Sequence, residues 1–126
     1  MAIGITPKHR EEIPLHELTP LQFLTIASQV AIQLNWTIHY QSVSGFIAQS
    51  NTSVINSSSE IKLVVDEQTA AISSESTGGE MIDFNKNKKN VQAFLDAFAV
   101  AQVEISPEEL SVKSQELHDS FDLTAA

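Results

Sequence analysis

Apolar residues recur at helical spacing in one early stretch of the chain and at alternate positions in the stretch after it. Leu21, Leu24, Ala27, Val30, Ala31 and Leu34 fall on one helical face. Thr19-Pro20-Leu21-Gln22 has the form of a capping box, with Pro20 at N1 and Leu18 and Phe23 placed as a hydrophobic staple. These signals predict a helix over about 20–34, ended by Asn35. Trp36, Ile38 and Tyr40 then alternate with Thr37, His39 and Gln41, the pattern of a half-buried strand. After a turn at Ser42-Val43-Ser44-Gly45, Phe46 and Ala48 alternate with Ile47 and Gln49, which predicts a hairpin. Residues 50–59 are mostly Ser, Asn and Thr and read as a loop, interrupted by Val54-Ile55. Ile61, Leu63 and Val65 alternate again. Asp66-Glu67-Gln68 turns the chain, and Ala70 or Ala71, Ile72 and Ser74 form a fourth strand.

A polar segment from Ser73 to Asn90 leads into a second helix, whose Val91, Phe94, Leu95 and Phe98 share one face. Ser106-Pro107-Glu108-Glu109 is a second capping box, with Ile105 and Leu110 as its staple. The helix it opens, at about 107–119, has a thin apolar stripe of Leu110, Leu117 and Phe121. Together these elements predict an α+β fold. It is a two-layer sandwich running helix, four-stranded antiparallel meander, helix, plus a short C-terminal helix. The expected organisation is an N-terminal arm at 1–17, an α+β domain at 18–102 and a C-terminal helix or linker at 103–126.

Composition narrows the function classes. The 126 residues fit one domain, for which the usual range is roughly 100–200. Hydrophobic residues make up 42% and allow a core. Seven Lys and Arg stand against 16 Asp and Glu, a net charge of −9. This lacks the basic footprint of a nonspecific nucleic-acid binder, so no nucleic-acid partner is expected. The absence of Cys excludes disulfides, thiolate zinc sites and a Cys nucleophile. No apolar core follows the basic residues of the N-terminus, as a signal peptide would require, and no run reaches the roughly 18 apolar residues of a membrane span. The expectation is a small, soluble, cytoplasmic-type domain.

Catalytic signatures are lacking. His9, His16, His39 and His118 have no metal-pair spacing, there is no Gly-x-Ser-x-Gly elbow or P-loop, and no base is nominated for any serine. No metal, cofactor or catalytic residue is therefore expected. The unusual stretch is 73–90, where Lys86, Lys88 and Lys89 gather at or just before a helix N-terminus, a place the macrodipole makes unfavourable for cations. In a structural reading, Glu75, Glu80 or Asp83 pairs with the lysines while Asn87 or Asn90 caps the helix. In a functional reading, Ser76, Thr77, Gly78, Gly79, Lys86, Asn87, Lys88 and Lys89 form an anion- or partner-binding site. Attraction of the lysines to anionic lipid headgroups is a third, local possibility.

The same stretch carries a resemblance. The pattern Ser74-x-Ser76-Thr77-Gly78-x-x-Met81-x-Asp83-Phe84-x-Lys86-Asn87-Lys88-Lys89-Asn90 resembles a segment ahead of the membrane region in bacterial rhomboid family intramembrane serine proteases. So do Leu15-x-x-Leu18-x-x-x-x-Phe23-Leu24, Leu34-Asn35-Trp36-x-Ile38 and Gly45-Phe46-Ile47-Ala48. The likeness covers about residues 8–100. Asn35 and Asn85 depart from it, each standing where the family pattern has Gly.

The resemblance implies an N-terminal domain on the cytoplasmic face of a membrane protease, with the catalytic transmembrane helices absent from these 126 residues. It carries over no catalytic residue. The implied role is a non-catalytic accessory or interaction domain whose partner is another protein or a second copy, reached through the 73–90 segment and the exposed sheet edge. The membrane would be met only through a C-terminal continuation. The competing reading is a stand-alone domain that binds a small molecule or anion through residues 76–89.

Overall fold

The computed structural model describes residues 8–50, 59–76 and 84–122. Eight elements follow in order: β1 (Lys8–Pro14), α1 (Pro20–Gln33), β2 (Thr37–Ser42), β3 (Gly45–Gln49), β4 (Ser59–Val65), β5 (Thr69–Ser76), α2 (Phe84–Glu104) and α3 (Pro107–Asp122). The strands form one antiparallel sheet in the order β1-β5-β4-β3-β2. The fold is α+β, and β2 to β5 are the expected meander. The sheet has a fifth strand because part of the N-terminal arm, Lys8–Pro14, pairs along β5 from Lys8↔Glu75 to Pro14↔Thr69.

Both caps of α1 arise from local sequence. The Gln22 N–H donates to Thr19 Oγ1 at 3.1 Å, and the Thr19 N–H donates to Gln22 Oε1 at 3.0 Å, which closes the capping box. At the other end Asn35 takes a left-handed φ of 64°. The Asn35 N–H donates to the Ile32 carbonyl and the Trp36 N–H to the Ala31 carbonyl, at 3.0 and 2.9 Å. This is a Schellman motif with Asn in the place glycine favours. It turns the chain into β2 and puts Trp36 in the core.

Val54 and Ile55 of the Ser/Asn loop lie outside the described residues. Gly45 opens β3 with φ 146°, and a Cβ there would stand 1.8 Å from the Leu63 carbonyl oxygen. Only glycine permits this approach of β3 to β4.

One face of the sheet meets α1 and α2. Phe46, Ala48, Ile61, Leu63, Val65, Ala70 and Ile72 point into that layer. They pack against Phe23, Leu24, Ile26, Ala27 and Val30 of α1 and Val91, Phe94 and Phe98 of α2. Phe23, Phe94 and Phe98 form a tilted aromatic cluster, with centroids 4.5 Å apart for Phe23–Phe98 and 5.8 Å for Phe94–Phe98. The third helix lies against α1. Leu110 is buried, Leu117 and Phe121 pack beside it, and the Ser114 hydroxyl bonds the buried Thr25 hydroxyl across 3.1 Å. Of its expected capping box, the bond from the Glu109 N–H to Ser106 Oγ is present, while the Glu109 carboxylate lies 3.7 Å from Lys113.

The phase of β2 differs from simple alternation. Ile38 pairs with Ala48 on the inner face, but the register shifts before Tyr40, which pairs with Ile47 on the outer face and is 61% exposed. His39 supplies the extra residue of this bulge. After it Gln41 points inward, where its amide donates to Ser28 Oγ on α1. Trp36 and Ile38 are core-facing as expected; Tyr40 is not, because the bulge inverts the strand between them.

Candidate functional site

The second helix begins at Phe84, several residues before the periodicity of its apolar face. Lys86, Lys88 and Lys89 are therefore inside its first two turns, not ahead of it. Lys88 and Lys89 are exposed and Lys86 is half-buried. Asn87 lies four residues before Val91 and seven before Phe94, so it extends their buried stripe toward the N-terminus. Its side chain is fully buried.

That burial is compensated by the sheet. Ser74 Oγ donates to Asn87 Oδ1 at 2.7 Å, and Asn87 Nδ2 donates to Ser76 Oγ at 2.9 Å. Asn90, one turn on, donates from Nδ2 to Ser74 Oγ at 3.1 Å. Ser74 and Ser76 continue the inward phase of Ala70 and Ile72, so β5 becomes polar on its inner face where α2 begins. The result is a polar seam in which hydroxyls meet amides. Asn87 and Asn90 are thus interior helix residues that dock α2, not its cap. The Asn87 amide is buried and not at the surface for a ligand. The seam can fix the register of α2 on β5, and it offers no proton acceptor that would activate a serine.

Of the other residues considered for this site, Thr77, Gly78 and Gly79 lie outside the described residues. The same holds for Glu80 and Asp83, two of the three acids read as lysine partners. Glu75, the third, stands on β5 opposite Lys8 and Glu60. The seam itself was missed in the sequence, though it left a signal: Ser at inward strand positions 74 and 76, and Asn at 87 and 90 on the inward side of the helix.

Ser59 adjoins the seam, opposite Ser76 in the β4–β5 register. Its backbone is satisfied, since its N–H donates to Ser50 Oγ at 2.9 Å and its carbonyl accepts from the Ser50 N–H at 3.0 Å. Its own hydroxyl is buried and has no partner among the described residues.

The other face of the sheet is not covered by any helix among the described residues. A shallow depression of about 230 Å³ lies on it, over Tyr40, Gly45, Ile47 and Val64. It is small beside the several hundred Å³ of usual ligand sites and has apolar walls. Another hollow, of about 210 Å³, is lined by His39, Gln49 and Glu60, and in it the His39 ring bonds Gln49 Oε1 at 3.1 Å. Among the described residues no group of His, Asp and Glu could hold a metal ion, and no helix is long and apolar enough to cross a membrane.

Comparison with protein-family models, with curated proteins and with solved structures finds no match.

Proposed function

We propose that this chain is a non-catalytic interaction domain, attached in its natural context to a rhomboid-like membrane protease and placed on the cytoplasmic face of the membrane. One observation carries the interaction reading. Among the described residues, Ser74, Ser76, Asn87 and Asn90 join α2 to β5, while no helix covers the outer face of the sheet, where Tyr40 and Val64 are more than half exposed. A catalytic or ligand site would converge titratable groups on a pocket. The described residues instead use Ser74, Ser76, Asn87 and Asn90 to dock a helix on the sheet and leave an apolar surface. The attachment to a protease is supported by the sequence resemblance over about residues 8–100.

The test is to determine the reading frame downstream of codon 126. Continuation into a set of hydrophobic spans, one with Gly-x-Ser and another with a His, supports the reading. Cleavage of a model transmembrane substrate would then be compared with and without residues 1–126. A stop codon at that point, or cleavage and partner recovery indifferent to the domain, overturns it.

A further inference from the structure

The third helix leaves a groove beside α1. Where the two helices meet, small polar side chains let them come close, and the buried Thr25 and Ser114 hydroxyls bond at 3.1 Å. Beside that contact the facing residues are Ser28 and Ser120, whose side chains are too short to fill the space between the helices. A hollow of about 360 Å³ results, with Ile32 and Leu117 as its apolar walls and Lys113 and Glu116 at its rim. The Ser28 and Ser120 hydroxyls donate to their own helices, to the Leu24 carbonyl at 2.7 Å and the Leu117 carbonyl at 2.6 Å. The hollow therefore presents satisfied hydroxyls and aliphatic surface, and Ile32 is 66% exposed.

The charge of this groove comes from α3 alone. No charged residue occurs in α1, whereas α3 carries Glu108, Glu109, Glu116 and Asp119 against Lys113. Lys113 stands 3.7 Å from the Glu109 carboxylate, and His118 stands 3.8 Å from Asp119. Glu116 is exposed at the hollow and has no ion pair among the described residues. An uncompensated carboxylate beside an aliphatic wall, in a chain of net charge −9, selects for a cation carried on an apolar stem.

We infer that the groove between α1 and α3 docks a basic amphipathic helix of another protein. An arginine or lysine of that helix lays its methylenes on Ile32 and Leu117 and brings its charged head to Glu116. The lining is mostly half-buried or exposed, not enclosed. That suits a side chain presented by a macromolecule better than a free small molecule. The sign of the charge turns away nucleic acid and anionic lipid, and the acidic whole steers a basic partner inward. This surface is on the helix side of the molecule, separate from the open sheet face, and does not depend on the reading of that face.

Fluorescence anisotropy of the 126-residue chain with a labelled amphipathic peptide of about 18 residues, about five helical turns, reads the outcome. The probe has Leu along one face flanked by Arg, and the control peptide has Glu in place of Arg. The Arg peptide should bind and the Glu peptide should not. Glu116→Lys and Ile32→Ser, both at exposed positions, should each weaken binding about tenfold or more with an unchanged circular dichroism spectrum. If Glu116→Lys fails to fold, Glu116→Gln replaces it, with a smaller weakening expected. Glu67→Lys makes the same charge change in the turn between β4 and β5 and should leave the affinity within about twofold of wild type. Sedimentation velocity tests the competing occupant, a second copy offering its exposed Lys88 and Lys89. Binding of neither peptide or of both equally overturns the inference. So does a Glu67→Lys loss that matches that of Glu116→Lys, full binding by Ile32→Ser, or an oligomer that Glu116→Lys dissolves.

Discussion

Trp36 lies nearly parallel to Phe94, with ring centroids 6.2 Å apart and planes 9° from one another. Trp36 is also the residue whose N–H closes the C-terminal turn of α1. One side chain therefore joins the end of α1, the start of β2 and the middle of α2. Trp36→Ala should lower unfolding free energy by about 3–5 kcal/mol through lost transfer and the cavity left behind. Urea denaturation measures it, and a loss below about 1 kcal/mol would show that this contact is not part of the core.

Asn87 should be as sensitive as an apolar core residue. Asn87→Ala strands the Ser74 donor in a buried site, and a loss of about 2–3 kcal/mol is expected. The Asn87→Ala/Ser74→Ala pair should cost less than the sum of its members, because each single change leaves an unpaired group that the double change removes. A double-mutant cycle reads the coupling; additive losses would contradict a shared bond.

At Ser59 the expectation is reversed. Its hydroxyl is buried without a partner among the described residues, so Ser59→Ala removes a desolvated polar atom and no bond seen there. Stability should be unchanged or rise by about 1 kcal/mol. A clear drop in melting temperature would show that the hydroxyl has a partner, such as an internal water.

Asn35 should discriminate between two small residues. Asn35→Gly relieves a left-handed backbone and should raise stability by a few tenths to about 1 kcal/mol, whereas Asn35→Ala should lower it by about 1 kcal/mol. Thermal melts of the two variants should move in opposite directions. Equal shifts would mean that the Asn side chain, not its backbone angle, matters at this turn.

The meander and α1 were legible because their signals are local: a capping box, a staple and alternation in β3 and β4. Three features were not. β1 presents His9, Glu11 and Ile13 to the inner side, so an edge strand with one apolar inward residue shows no period of two. In β2 the extra residue at His39 restores alternation on the opposite face, and single-residue insertions leave no trace in composition. The first turns of α2 are concealed because Asn87 occupies a core position. A buried amide reads as surface until the strand that satisfies it, with Ser74 and Ser76, is placed beneath it. The same fact reorders the candidate site: residue types suited to a ligand proved suited equally to a helix docking on a sheet, and chemistry alone does not separate the two.

The sheet order has a consequence for synthesis. Among the described strands of this sheet, β1 leaves the ribosome first, and the strand it pairs with, β5, is made last. The hairpins from β2 to β5 each join neighbours in sequence and can zip in turn, but β1 must wait, unpaired, through the translation of α1 and four strands. The charges along Lys8–Pro14 that conceal it as a strand also suit that interval, keeping a solitary strand hydrated until its template exists.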